Sequence, residues 1–462
     1  MNFLQTDGQN IVKNGLPIKL NGIGLGGWQL IEDFMVGFPG TDWQMRHWFK
    51  EIMGEELRDE FFHSYSESHL QEADIKNIKE MGFNLVRMPF NYRYFESDLK
   101  PFEYFEGAFD YLDKLFNWCK KYEIYILLDF HALPGGHNTT PPSDNVTGYP
   151  LFWSVKHYQD RCVALWETIA KRYKDENFLF GYDLINEPIT NQVSDISNER
   201  QTEIMNEFYD RLINAIRKID PYHCIVIEGN VRQSGGIKTL NKSLITEHSN
   251  MVASFHFYPL FQYAALDLSV LKDGESSTTD IVAEKKVLKE LMKNEYEYIQ
   301  EINCPMLLGE FGFFKAKDEK LQTEIVSIQL EIMKEWGWHW CVWPYKDIGA
   351  MGLVRPKQNT FWRKFIERED ITKAVETCEN SLREHFNVYA DNFKKNETNR
   401  LYYDAAINDI KRGKNRLELY YQMEKLSEYP EEEIRKMPDA FLLENCEVNE
   451  YALKILQKFM DL

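Results

Sequence analysis

These 462 residues contain no run of about 18 apolar side chains, so no membrane-spanning helix is expected. A basic surplus is missing too: 54 Lys and Arg stand against 73 Asp and Glu, a formal net charge of −19. Nucleic acids and anionic membranes both reward clustered positive charge, so neither is an expected partner. Paired cysteines are also lacking. The seven present, Cys119, Cys162, Cys224, Cys304, Cys341, Cys378 and Cys446, are odd in number and include no Cys-x-x-Cys. Free thiols in a reducing compartment are the simplest reading of that pattern. The amino terminus, Met-Asn-Phe-Leu-Gln-Thr-Asp-Gly, has no basic stretch followed by an apolar one. With no secretory leader visible, a cytoplasmic location is expected. Internal repeats and low-complexity segments are absent as well.

What the chain does have is apolar and aromatic side chains. Hydrophobic residues make up 44%, enough for a large core and too many for disorder. Aromatics reach 14%, most expected in the core and some as stacking platforms for sugar rings. Eight short runs read as strands: Gly22 to Trp28, Phe83 to Phe90, Ile124 to His131, Leu179 to Glu187, His223 to Gly229, Val252 to Phe257, Met306 to Glu310 and Trp338 to Trp343. Their apolar stretches are continuous rather than alternating, as in strands buried on both faces of a parallel sheet. Amphipathic stretches lie between them, among them Glu72 to Met81, Phe109 to Tyr122, Gln159 to Lys174, Arg200 to Ile219, Val282 to Ile302 and Lys320 to Trp336. Eight strand–helix units predict an α/β fold closed into a (β/α)8 TIM barrel, expected over residues 1–374. From 375 to 462 the sequence is charged and helical, through Arg383 to Phe393, Arg400 to Leu426, Glu431 to Met437 and Glu450 to Leu462. This predicts a helical extension packed on the barrel, there for stability or to shape the substrate entrance or a subunit contact.

Chemistry is expected where the strands end, because barrel enzymes keep their reacting groups at the carboxyl ends. The fourth run ends in Asn186-Glu187-Pro188 and the seventh in Gly309-Glu310-Phe311-Gly312. Two carboxyl groups facing across one mouth are what glycosidic bond cleavage needs, about 5–5.5 Å apart when configuration is retained. Glu187 is assigned as acid/base and Glu310 as nucleophile. Arg87, His131, Asn186, His256, Tyr258 and Trp343 fall near, at or just past strand ends, and packing alone rarely converges polar groups this way. A nearby Arg87 would keep Glu310 ionised while Tyr258 donates to it. Asn186 is expected on a sugar 2-hydroxyl, His256 beside Glu187 to orient or shuttle protons, and Trp343 beneath the cleaved sugar. Glu187 must start protonated, which predicts a less cationic surrounding for it. Pro134 to Pro150 reads as a long loop after strand three, on the catalytic face. No His-x-x-x-His pair or acidic triplet sits at a strand end, so neither a metal nor another cofactor is expected.

Asn186-Glu187-Pro188, Gly309-Glu310-Phe311, Asp129-Phe130-His131 and the Arg87 of Asn84-Leu85-Val86-Arg87-Met88-Pro89 together resemble glycoside hydrolase family 5. This is the cellulase family of the retaining (β/α)8 clan, and His256, Tyr258 and Trp343 fit its pattern too. Within it the likeness is strongest to exo-β-1,3-glucanase-type members. Leu25-Gly26-Gly27-Trp28-Gln29-Leu30-Ile31-Glu32 is similar to their opening motif. His131-Ala-Leu-Pro-Gly-Gly-His-Asn138, followed by Asp144-Asn145-Val146-Thr147-Gly148, is similar to their substrate loop. The resemblance implies that Glu32, Asp144 and Asn145 line a closed pocket for a terminal glucose. Trp28 and Asn138, from the same motifs, join the substrate-binding candidates. Trp28, Trp43, Trp48 and Trp153 are candidate platforms and equally candidate packing residues. The chain departs from the pattern at His137, which replaces a Gln, in a longer loop to Asp144, and at Trp343-Pro344-Tyr345-Lys346-Asp347. These departures bear on sugar and linkage, not on mechanism.

The expected activity is a retaining exo-acting β-glycosidase that hydrolyses short β-linked gluco-oligosaccharides by double displacement. The alternative is a β-mannosidase, or an endo-β-glucanase or mannanase. A non-catalytic carbohydrate-binding barrel would show a lost glutamate, and both are present. The partner expected is a β-linked oligosaccharide.

Overall fold

The computed structural model describes residues 3–139, 141–188, 197–230, 236–258, 281–313, 319–374 and 397–460. Eight strands close a parallel barrel: β1 (Asn21–Gly24), β2 (Leu85–Asn91), β3 (Tyr125–Ala132), β4 (Leu179–Asp183), β5 (Cys224–Glu228), β6 (Met251–His256), β7 (Met306–Phe311) and β8 (His339–Val342). Closure is made by Trp340, Cys341 and Val342 of β8 beside Asn21, Gly22 and Ile23 of β1. All eight runs read from the sequence are strands, in the expected order. Two stop earlier than their apolar runs suggest. After β1 the chain turns at Gly27, whose φ is 92° and whose N–H donates to the Leu30 carbonyl. After β4 it stays attached to the barrel by single bonds, Leu184 N–H to Val226 O and Asn186 N–H to Phe130 O.

Side chains alternate along a strand, so every second residue points into the barrel. The inward residues form two layers. The lower one is apolar: Leu85, Leu127, Val226, Val252, Leu307 and Cys341 share one cluster. An amino-terminal hairpin absent from the sequence reading, Leu4–Asp7 paired with Asn10–Lys13, seals it from below through Leu4 and Ile11, both fully buried. Two residues further along the same strands the layer turns polar, with Arg87, Asp129 and Glu228. The barrel therefore has a dry floor and a charged mouth.

The carboxy-terminal residues share cores with the barrel. Helix Glu397–Ser427 buries Leu419, Met423 and Leu426 in a cluster with Met45 and Phe49 of helix Asp42–Met53. Cys446–Val448 pairs antiparallel with Val354–Pro356, and helix Glu450–Gln457 adds Leu453, Ile455 and Leu456 to the main core. The segment after β8 is structural. Lys346, fully buried, donates to Asp74 at 2.7 Å, to the His69 carbonyl at 2.8 Å and to the Phe441 carbonyl at 2.9 Å. Asp347 accepts the N–H groups of Ala350 and Met351. The predicted Arg383 to Phe393 helix lies outside the described residues. No helix among the described residues is long and apolar enough to cross a membrane. Six cysteines are buried free thiols, and Cys378 is outside the described residues.

Candidate active site

The two predicted glutamates meet. One carboxylate oxygen of Glu187, one of Glu310 and a ring nitrogen of His256 all lie within 4.8 Å of one another. That is the close spacing of double displacement and is too short for the roughly 6.5–9.5 Å that an inverting pair leaves for water. Each oxygen of Glu310 takes one donor: Arg87 Nη1 at 2.7 Å on Oε1, and the Tyr258 hydroxyl at 2.8 Å on Oε2. A carboxylate gripped this way presents its remaining lone pairs in a fixed direction.

Glu187 is held differently. Its φ is 45°, a left-handed conformation that a non-glycine residue adopts only when its surroundings enforce it. One restraint is Glu228 at the end of β5, whose Oε2 accepts the Glu187 N–H at 2.8 Å. Glu228 Oε1 faces His256 Nε2 at 3.1 Å and Arg87 Nη2 at 3.2 Å. His256 Nδ1 in turn donates to Glu187 Oε1 at 2.8 Å and lies 3.5 Å from Glu310 Oε2.

This corrects one expectation: the surroundings of Glu187 are cationic. Burial alone would push the His256 imidazole down, but the negative charges of Glu228 and Glu310 and its bond to Glu187 raise it well above its usual value. Burial likewise pushes the Glu187 carboxyl up, and the hydrogen bond and charge of His256 overcome that and hold it below the usual carboxylate range. Glu228 is buried as well, yet His256, Arg87 and the Glu187 N–H bring it down to about 2. Both directions favour the imidazole over the carboxyl as the seat of the proton.

Arg87, fully buried, is the hub of the mouth. Besides Glu310 and Glu228 it donates through Nε to Asp183 at 2.9 Å and through Nη2 to Asn186 Oδ1 at 2.8 Å, and it lies 3.2 Å from Asp129. Burial and the nearby Glu228 raise the Asp183 carboxyl well above its usual value, against the pull of Arg87. Asp129 accepts His131 Nδ1–H at 2.8 Å, leaving His131 Nε2 to accept from Asn186 Nδ2 at 3.1 Å. Asn186 is thus held at both ends of its amide, Oδ1 by Arg87 and Nδ2 by His131. Trp343 stacks on His131 with ring centroids 5.5 Å apart and planes at 6°. It lies so close over β1 that a Cβ on Gly24 or Gly26 would come within 2.3 or 2.7 Å of its ring, which explains those glycines.

The remaining candidates divide. Glu32 is nearly buried beside the same carboxylates, and burial, then Glu310, raises it well above the usual carboxylate range. Asp144 and Asn145 brace the loop. Asp144 accepts the Trp43 N–H, Asn91 Nδ2 and Arg93 Nε, each at 3.0 Å. Asn145 donates to the Asn138 and Tyr149 carbonyls and accepts the Gly148 N–H. Asn138 donates to the Glu187 carbonyl at 3.3 Å, and His137 Nε2–H to the Asn186 carbonyl at 2.6 Å. Burial lowers the His137 pKa to about 4.

Trp28 is a correction. The turn at Gly27 carries it out of the barrel, where it is fully buried, donates to the Ser66 carbonyl at 3.0 Å and packs on Tyr111 and Trp118. Trp48 meets Tyr420 edge-on, and Trp153 donates to the His137 carbonyl at 2.7 Å. Trp43 alone of the four is open, 38% exposed and stacked on His47. Sequence reasoning missed Asp183 and Glu228 and named Asp129 only within a motif. Glu228 was reachable: it lies two and four residues past Val226 and Cys224, on the inward face they share.

The cellulase (glycosyl hydrolase family 5) family model matches residues 51–349. A β-xylosidase of Phanerodontia chrysosporium is 32% identical over 371 residues, 78% of this chain and 74% of that protein. Endoglucanase C of Acetivibrio thermocellus is 27% identical over 316 residues, covering 62% and 87% of the two chains. A glucan 1,3-β-glucosidase of Candida oleophila is 27% identical over 271 residues, covering 54% and 61%. The match takes in most of the barrel and both glutamates, and this chain belongs to glycosyl hydrolase family 5, the cellulase family, and is a glycoside hydrolase.

Proposed function

We propose that this enzyme is a retaining, exo-acting β-glycosidase that hydrolyses short β-linked gluco-oligosaccharides, with Glu310 as nucleophile and Glu187 as acid/base. The observation that carries the reading is the convergence of both carboxylates and His256 within 4.8 Å. Glu310 attacks the anomeric carbon as the glycosidic C–O bond breaks and Glu187 protonates the departing oxygen. That proton comes from His256 Nδ1, across 2.8 Å, once the sugar displaces water and disfavours a bare carboxylate. In the second half Glu187 takes a proton from water, the water oxygen bonds the anomeric carbon, and the bond to Glu310 breaks. Glu32 supports terminal-sugar binding: a neutral carboxyl beside the reaction centre both donates to and accepts from sugar hydroxyls. The names of the β-xylosidase and glucan 1,3-β-glucosidase relatives support exo action, and that of Endoglucanase C favours internal cleavage as the second reading.

Aryl β-glucoside, β-xyloside and β-mannoside, with β-1,3- and β-1,4-linked oligosaccharides, test this. Glucose released singly from oligosaccharide ends is expected; internal fragments alone would remove the exo reading. Glu310→Ala is expected to turn over at under about one percent of the parent rate while folding normally. Glu187→Ala is expected to lose far more on oligosaccharides than on activated aryl glycosides, whose leaving groups need little acid help.

A further inference from the structure

We infer that helix Glu397–Ser427 is a positioning element for the acid/base: Arg412 and Arg416 fix the 134–150 loop, and that loop holds the backbone at Glu187. The inference rests on the assignment of Glu187 above. It begins with the anchoring of the helix. Leu419, Met423 and Leu426 follow helical spacing, are 0–1% exposed, and lock the second half of the helix into the cluster around Phe49 and Trp362. Helices this long are stiff, so the preceding turns are held as a strut.

Two arginines on those turns reach the loop. Arg412 Nη1 donates to the Thr139 carbonyl at 3.3 Å and Arg416 Nη2 to the Val146 carbonyl at 3.0 Å. Arg412 also lies flat on Gly148, where φ is 76° and a Cβ would sit 2.2 Å from the guanidinium carbon. Asp409 pairs with the same guanidinium from one turn earlier. Two backbone carbonyls inside the loop, seven residues apart, are thus tied to one helix.

The loop passes this restraint inward. Asn145, beside the pinned Val146, donates to the Asn138 carbonyl at 2.7 Å, and Ser143 donates to the same carbonyl at 3.1 Å. Asn138 then donates to the Glu187 carbonyl, and His137 to the Asn186 carbonyl. Glu187 sits in a left-handed conformation, so its peptide planes need restraint from both sides. Glu228 holds its N–H from within the barrel, and the loop holds its carbonyl from outside. A shift at Arg412 would therefore reach Glu187 before it reaches Glu310, which is fixed independently by Arg87 and Tyr258.

The test is the Arg412→Ala/Arg416→Ala double variant of the full chain, with thermal melting as a folding control. It is assayed on an unactivated β-gluco-oligosaccharide and on an activated aryl β-glucoside. A misplaced acid is expected to cut kcat/KM, which reports the glycosylation half alone, by about tenfold or more on the oligosaccharide and by less than about twofold on the activated glycoside. Equal losses on both substrates, or no loss on either, would overturn the inference and leave the helix a stability element. Arg412→Lys, which keeps charge but loses the flat contact with Gly148, is expected to restore the oligosaccharide rate only partly; full restoration would also count against it. Glu187→Ala run alongside separates the two readings. If that variant shows no preference for activated substrates, the assignment of Glu187 fails, whatever the arginines do.

Discussion

Arg87 shows how a single residue can set the chemistry of a whole mouth. Its guanidinium donates to Asp183, Glu228, Glu310 and the Asn186 amide and pairs with Asp129 at 3.2 Å, so their orientations depend on one group. Lysine would supply the charge but not the fork. Glu228 is the opposite case, an anion that touches no sugar in the proposed reaction yet braces Glu187 and His256 together. Glu228→Gln keeps the volume and removes the negative charge that does most to raise His256. Loss of that charge lets the imidazole give up its proton at lower pH, so the alkaline limb of the pH–rate profile is expected to move down. The rate at the optimum should fall about 10- to 100-fold through misplacement of Glu187. A profile unchanged in shape, with only its height reduced, would show that Glu228 does not tune His256.

At the scale of elements, what was legible follows from burial. The eight strands could be read because both faces are covered, leaving continuous apolar runs such as Tyr125 to Leu128 and Met306 to Leu308. Site residues at strand ends were legible for the same reason, since Glu187 and Glu310 close such runs. The amino-terminal hairpin was not, because two four-residue strands with mixed exposure carry too little periodicity to stand out. Nor was the fate of Trp28, which depends on where β1 stops and the Gly27 turn begins. The inward position of Glu228 required a register count that apolar patterning does not supply. The hairpin is open to test. Ile11→Ala would leave a cavity under the barrel and is expected to cost about 2–5 kcal/mol in denaturant unfolding, with kcat unchanged. A cost under about 1 kcal/mol would mean that the hairpin is not a seal.

The molecule as a whole should answer to acid in a way its buried pairs define. Asp220, away from the mouth, is pushed up by burial, but bonds from His223 and Tyr182 and the Tyr222 N–H bring it down from 3.8 to about 2. A carboxyl depressed on folding adds stability that is present above its unfolded pKa and is lost as pH falls through its folded one. Asp220→Asn should therefore destabilise the protein near neutral pH, and the difference from the parent should shrink as pH drops from 3.8 towards 2. A difference constant across that window, measured by denaturant titration, would mean that the charge of Asp220 is irrelevant. The hairpin plug has a consequence of its own. With its lower end filled by buried side chains the barrel is no pore, so in the proposed reaction product leaves by the same face at which substrate arrives. On the proposed exo action, monosaccharide added to the medium is therefore expected to inhibit in competition with the substrate, which initial rates at several substrate concentrations would check.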